Sequence, residues 1–178
     1  MKLGALGRLV AVGAASLLMA GCASREAPSP PRPSPPTIVG PPSRSMTTEE
    51  YMKLSASRAL LVVRASELAM SRSSRSATLQ LASRLKRDHT GIASQLNFAG
   101  RRLNLLPSAS LLSLDQVLLD GLSRASDFDV AYRRTMRAAV ENCISSHGAY
   151  ASVGGSPTLR PVARFAASAC RDELPLTR

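Results

Sequence analysis

Residues 77–103 read ATLQLASRLKRDHTGIASQLNFAGRRL, and within them Ala82, Leu85, His89, Ile92, Leu96, Ala99 and Leu103 recur at alternating steps of three and four. That spacing keeps all of these side chains on one face of an α-helix. The face is continuous and almost wholly apolar, which is the pattern of a seam in a helical bundle. His89 is its polar member and points inward. Asp88 lies about 100° round the helix, at the edge of the seam, where it orients a neighbouring imidazole or faces water.

Other helices are legible on either side. Thr47 and Glu50 have the spacing of a capping box, each side chain satisfying a free backbone donor of the other residue. A helix is therefore expected from about Thr48 to Ser71, with Leu54, Leu61, Ala65 and Leu68 as its inner row and Leu60, Val63, Glu67 and Met70 beside it. Leu106-Pro107 closes the 77–103 segment. Ser113 with Gln116 gives a second capping-box signal, ahead of a short helix through Leu114, Val117, Leu118 and Leu122. A long helix starts near Asp127, presents Tyr132, Met136, Ala139, Cys143 and Tyr150, and ends at Gly154-Gly155. A last helix begins at Pro157 or Pro161, since proline suits a first turn, and ends by Leu174-Pro175.

Composition agrees with helices. Aromatics are 3% of the 178 residues and tryptophan is absent, which suits close-packed helices and argues against a β-sandwich. The chain divides into a leader over 1–21, a proline-rich linker over 22–46 and one helical domain over 47–175, a size that one core can serve.

The leader has the parts of a bacterial lipoprotein signal: Lys2 and Arg8, an apolar run from Leu9 to Ala20, and Met19-Ala20-Gly21-Cys22. The run is too short for a permanent membrane helix, so cleavage after export is expected, with Cys22 taking acyl chains such as palmitate. Ala23 and Ser24 carry no aspartate retention signal, which places the expected product in the cell envelope, on the outer membrane and facing the periplasm. The linker holds eight of the twelve prolines. Extended polyproline geometry, at about 3.1 Å per residue, would make it a disordered stalk up to roughly 70 Å long.

With Cys22 lipidated, Cys143 and Cys170 remain as an even pair in an oxidising compartment. In a helical hairpin turning near Gly155 the two stand at similar height, so they are disulfide candidates. A bridge closing about 28 residues contributes roughly 3 kcal/mol in the chain-entropy model. Two separate buried thiols, or a Cys-His metal pair made with His147, are the other arrangements.

Removing Lys2 and Arg8 leaves 21 basic against 12 acidic residues, a net charge of about +9, and nearly all the basic residues are arginine. Arg72/Arg75, Arg84/Arg87 and Arg134/Arg137 lie three apart and form positive ridges. They would meet an anionic envelope component or an acidic protein, or else are simply a solvated surface. Nucleic acid is disfavoured by location and by the scarcity of stacking aromatics.

Enzymatic motifs are missing. There is no Gly-x-Ser-x-Gly elbow and no glycine-rich phosphate loop after a strand, and Cys143 with His147 shares one helix without a third orienting group. Asp127 and Asp129 flank Phe128 at a helix start, where carboxylates cap and complement the dipole.

Leu81-Ala82 with Leu85, Asp88-His89-Thr90, Leu96, Leu106-Pro107, then Phe128-Asp129 with Tyr132 and Met136 together resemble the bacterial exported family known as domain of unknown function 4142. The resemblance covers about Thr47 to Glu173 and implies an all-α fold, a ferritin-like antiparallel four-helix bundle with a short extra helix. Ferritin-like bundles can hold two metals through inward Glu and Glu-x-x-His ligands. No Glu-x-x-His occurs in this chain, and Val140 stands where the family tends to place a histidine. The stronger reading is a buried, hydrogen-bonded seam histidine with no cofactor; a residual site with Glu67 and His89 as facing ligands for iron, manganese or zinc, and Glu141 or His147 completing it, is the weaker one.

Three functions fit this sequence. The first is a non-catalytic, tethered envelope bundle that meets an anionic partner; the second is a metal-binding or oxidative-stress protein with a diminished ferritin-like site; the third is a periplasmic carrier of small ligands.

Overall fold

The computed structural model describes residues 46–178. The leader, Cys22 and the proline-rich stalk lie outside the described residues. Five α-helices and no strand occur among the described residues: α1 (Thr48–Arg72), α2 (Ser76–Leu103), α3 (Ser113–Ser123), α4 (Phe128–Val153) and α5 (Leu159–Glu173), followed by a short 3-10 turn at Leu174–Thr177. None of these helices is long and apolar enough to cross a membrane.

Side-chain pairs fix the topology. Glu67 on α1 meets Lys86 on α2, Tyr51 meets His147 and Ser66 meets Tyr132 between α1 and α4, and Cys143 is bonded to Cys170 between α4 and α5. All three pairings are antiparallel. Helices α2 and α4 therefore run the same way and α5 opposes both, so α1–α2 and α4–α5 are two hairpins joined by a crossover that contains α3. The core runs between them, with Tyr51, Leu61, Leu85, Ile92, Leu96, Tyr132, Met136 and Leu159 at most 1% exposed.

The termini of α1 and α4 follow local chemistry. Thr47 Oγ1 accepts from the Glu50 N–H at 3.2 Å, and the Glu50 carboxylate accepts from the Thr47 N–H at 2.9 Å. This is the expected capping box. Asp127 caps α4 through the Val130 N–H, and Gly154 ends it.

Helix α2 ends at Asn104, which adopts the left-handed conformation with φ 54°. The Leu105 N–H donates back to the Gly100 carbonyl at 2.9 Å, reversing the chain. Gly100 is needed there because a Cβ would stand 2.6 Å from the Leu105 carbonyl oxygen. Regular α5 begins at Leu159, between the two expected starts. Ser156 already caps the preceding turn, its Oγ accepting from the Leu159 N–H at 3.3 Å with Pro157 just behind.

Two local expectations are corrected. Ser113 and Gln116 form no capping box: Leu112 is the N-cap of α3. Its N–H is taken instead by Ser57 Oγ of α1, at 2.9 Å. The helix thus starts one residue before the motif, with the N–H of its N-cap satisfied by a tertiary partner and the Gln116 N–H by the Leu112 carbonyl. On α1 the buried face runs through Tyr51, Met52, Ser55, Ala59, Val62, Ser66 and Ala69 besides Leu61 and Ala65, whereas Leu54 is 36% and Met70 47% exposed. Small alanines and serines face the core here, so leucine spacing alone marks the wrong edge of the helix.

The crossover is held by polar contacts. Asp115 is 1% exposed; it accepts from Ser57 Oγ and lies 2.8 Å from Arg58 Nε. The guanidinium N–H is directed off the line to the oxygen, so this second contact is an ion pair rather than an aligned hydrogen bond. Arg72 reaches from the end of α1 to the Ser123 and Ala125 carbonyls, with its guanidinium carbon 4.7 Å from the Phe128 ring centre.

Candidate functional site

Polar chemistry collects inside the bundle, where the seam rows of α1, α2, α4 and α5 meet. His89 is 3% exposed and the Glu173 side chain is fully enclosed. The His89 Nε2 to Glu173 Oε2 distance is 3.2 Å, and Cys170 Sγ lies 4.0 Å from the same nitrogen. Cys170 is joined to Cys143 across a Cα separation of 6.2 Å. His89 Nδ1 and Glu173 Oε1 are buried without a hydrogen-bond partner.

One turn away is a second polar layer. Tyr51 Oη lies 2.7 Å from His147 Nδ1, and the Tyr51 ring stacks on Tyr150 with centroids 3.7 Å apart. Burial first, and the proximity of His89 second, lower the His147 pKa from 6.5 to about 4, so its imidazole is neutral at ordinary pH. Burial pushes the Tyr51 phenol upward, so it keeps its proton. Near the start of α4 the Tyr132 phenol, bonded to Ser66 of α1 at 3.0 Å, is pushed up to about 12 by the same cause.

A cavity of about 150 Å³ adjoins both layers, with His89, Cys143, His147, Ser55, Ser146 and Asn142 in its wall. Ligand pockets for drug-sized molecules usually span about 300–1,000 Å³. This one has room for waters or an ion, and it carries no argument for a bulky apolar guest.

The structure joins the two disulfide candidates and brings His89 against them, but it does not bring Glu67 to His89. Glu67 is half-exposed and pairs with Lys86 Nζ at 3.0 Å, because Ser66, one residue earlier, is the position that faces α4. Glu141 is likewise on the outside, paired with Arg137. Val140, on the other hand, is fully buried. The carboxylate that does meet His89 is Glu173, which sequence reasoning missed. Its signal was available: Leu159, Val162, Ala166, Cys170 and Glu173 continue one row at helical spacing, so the acid sits one turn beyond a core cysteine.

The outer arginines separate by role. Arg84 and Arg87 both converge on Asp88, and Arg72 is committed to main-chain carbonyls. Arg75, Arg134 and Arg137 line a groove of about 420 Å³ together with Arg133, which the ridge pattern did not single out. Arg133 also donates to the main-chain oxygen of Arg178 at 2.8 Å. The carboxylate in the wall is Asp129. The Ser73 hydroxyl, 2.6 Å away, contributes most to holding its pKa below the usual range, with Thr78 and Arg75 adding to the effect.

The family model described as Domain of unknown function (DUF4142) matches residues 34–174, which is most of the chain. The chain belongs to this family. The match takes in all five helices and reaches Leu174, so it includes both His89 and Glu173. Comparison with curated proteins and with solved structures gives no match. For this DUF4142 chain, what the interior and the groove can do has to be argued from their own residues.

Proposed function

We propose that this chain is a non-catalytic, lipid-tethered helical bundle whose arginine groove binds an anionic component of the cell envelope. The observation that carries the reading is the groove between the start of α2 and the first half of α4. Four guanidinium groups share it with one carboxylate, Asp129, which is bonded to Ser73 and paired with Arg75 at 3.5 Å, while Arg137 is also paired with Glu141. Clustered arginines recognise carboxylate and phosphate groups through paired N–H donors. The tether belongs to the same proposal: it rests on the leader, on Cys22 and on the prolines between Pro28 and Pro42. The single long crossover between two antiparallel hairpins supports a ferritin-like ancestry.

The outward Glu67 weighs against the ferritin-type ligand set. Binding of the purified chain to vesicles of anionic or zwitterionic lipid, and to isolated cell-wall polymer, tests the proposal. Association with at least one anionic surface is expected, weakening as salt rises and lost in Arg134→Gln/Arg137→Gln. Unchanged binding of that double variant at low salt would remove the groove from the function.

A further inference from the structure

The interior cluster has a ligand set that the disulfide conceals. We propose that reduction of Cys143–Cys170 opens a tetrahedral site for zinc, or for a divalent metal of similar softness, formed by the two thiolates, His89 Nε2 and the Glu173 carboxylate. This is separate from the groove and does not depend on it.

The argument begins with distance. Ligand atoms of His89, Cys143 and Cys170 all lie within 4.8 Å of one another; Glu173 stands outside that group of three and reaches it through His89, with Oε2 3.2 Å from Nε2. Zinc bonds of about 2.0–2.3 Å place tetrahedral ligands roughly 3.3–3.8 Å apart. The 3.2 Å carboxylate contact and the 4.0 Å contact between Cys170 Sγ and His89 Nε2 are within a few tenths of an ångström of that range. Once the bond is broken, the two sulfurs need only separate to ordinary non-bonded contact. They come from facing positions on α4 and α5, so both can turn toward one ion without any helix moving along its axis.

The second argument is the unmet demand of the polar groups. Glu173 is completely enclosed, yet Oε1 has no partner, and neither has His89 Nδ1. A buried carboxylate with one idle oxygen is costly. An ion held by Oε2 and Nε2 would neutralise the carboxylate and leave Nδ1 to carry the imidazole proton. The adjoining cavity, which His89 and Cys143 both line, has room for a water to receive it.

The donor types choose the metal. Two thiolates with one imidazole suit zinc or cobalt(II), whereas calcium and magnesium require oxygen cages. With three anionic ligands around a divalent ion, one negative charge remains.

The redox step balances as follows. A dithiol donor gives two electrons and two protons to the S–S bond and becomes a disulfide itself, leaving thiols at Cys143 and Cys170. Metal binding then releases those two protons. A disulfide-class oxidant reverses the sequence, re-forming the S–S bond and expelling the ion, because bonded sulfurs no longer act as thiolate ligands.

The test uses the full chain carrying Cys22→Ala, which leaves Cys143 and Cys170 as the remaining cysteines. The protein is reduced with a phosphine, freed of reductant without oxygen and titrated with cobalt(II). One equivalent should produce the visible bands of tetrahedral cobalt and a thiolate charge-transfer band, both abolished by zinc, and the oxidised protein should produce neither. His89→Gln and Glu173→Gln should each weaken binding by at least about tenfold to a hundredfold, since even outer-shell changes do so at established sites. Circular dichroism follows the fold throughout. Zinc should raise the melting temperature of the reduced chain and leave those of the oxidised chain and of Cys143→Ser/Cys170→Ser unchanged. Reduced protein that shows neither cobalt bands nor a zinc-dependent melting shift would overturn the proposal. So would His89→Gln and Glu173→Gln proteins that bind as tightly as the parent, since the metal would then be held by two adjacent thiols alone.

Discussion

Tyr51 and His147 share a buried hydrogen bond of 2.7 Å between α1 and α4, and the imidazole in that bond resists protonation. Its pKa is about 4 in the folded chain against 6.5 when exposed. Above the exposed value both states are neutral and no proton is taken up on unfolding. Between pH 6.5 and about 4 the unfolded state binds a proton that the folded state refuses, so stability falls with acidification, by about 3 kcal/mol in all from this group. Urea denaturation of the parent and of His147→Gln across this window checks it. The difference between the two curves should shift by that order, and parallel curves would refute the assignment.

The Cys143–Cys170 bond links positions 27 apart in sequence and restricts the unfolded ensemble. Cys143→Ser/Cys170→Ser should lower unfolding free energy by about 3 kcal/mol with helix content preserved. A fully reduced parent without added metal should behave in the same way. Equal denaturation midpoints for the oxidised chain and the double variant would show that the cross-link contributes nothing.

Two glycines on α2 should respond in opposite directions to alanine. At Gly100 the new Cβ would meet the Leu105 carbonyl oxygen at 2.6 Å, while at Gly91 nothing lies within 4 Å. Gly100→Ala should destabilise by about 1–3 kcal/mol through forced movement of the α2 exit. Gly91→Ala should stabilise by roughly 0.5–1 kcal/mol, because a mid-helix alanine loses less backbone entropy. Thermal melts that give both variants the same sign would contradict one of the two local geometries.

Asp115 is held by Ser57 and Arg58, and both contacts disappear in Asp115→Ala. Arg58 is about one-third exposed, so water can replace the lost anion on that side. The cost should therefore be about 1–3 kcal/mol rather than the larger penalty of a fully buried broken pair. Asp115→Asn, which keeps an acceptor for Ser57, should recover part of the loss. An asparagine variant no better than alanine would mean that the charge on Arg58 dominates.

The sequence was most readable where apolar volume and helical period coincide. The 77–103 row predicts the buried face of α2 down to His89, and the Thr47–Glu50 spacing predicts a capping box because both partners lie within one turn. Legibility declined where contacts are long-range. Ser57, 55 residues earlier, binds the N–H of Leu112, which is the N-cap of α3 in place of Ser113, and no local pattern contains that information. Helix α1 misleads because, beside the expected Leu61 and Ala65, its core face is built from Ser55, Ala59 and Ser66, small residues that let helices approach closely without raising hydrophobicity. The disulfide was accessible from the even cysteine pair left after Cys22, the oxidising compartment and the hairpin register together. Its neighbour Glu173 was not inferred, since an acid at the end of a helix ordinarily faces water and only the row through Cys170 indicates that this one points inward.

Helix α3 buries only Asp115 and Leu122, and leaves Leu114 and Val117 mostly exposed and Leu118 nearly half exposed. Few apolar contacts hold it, so amide protons in this segment can exchange with solvent through a local opening while the rest of the bundle stays closed. The connection between the two hairpins then behaves as a latch with a lower opening energy than the parts it joins. When the latch lifts, α1–α2 and α4–α5 remain together through their own packing, and the disulfide, lying wholly within the second hairpin, neither resists the opening nor reports it.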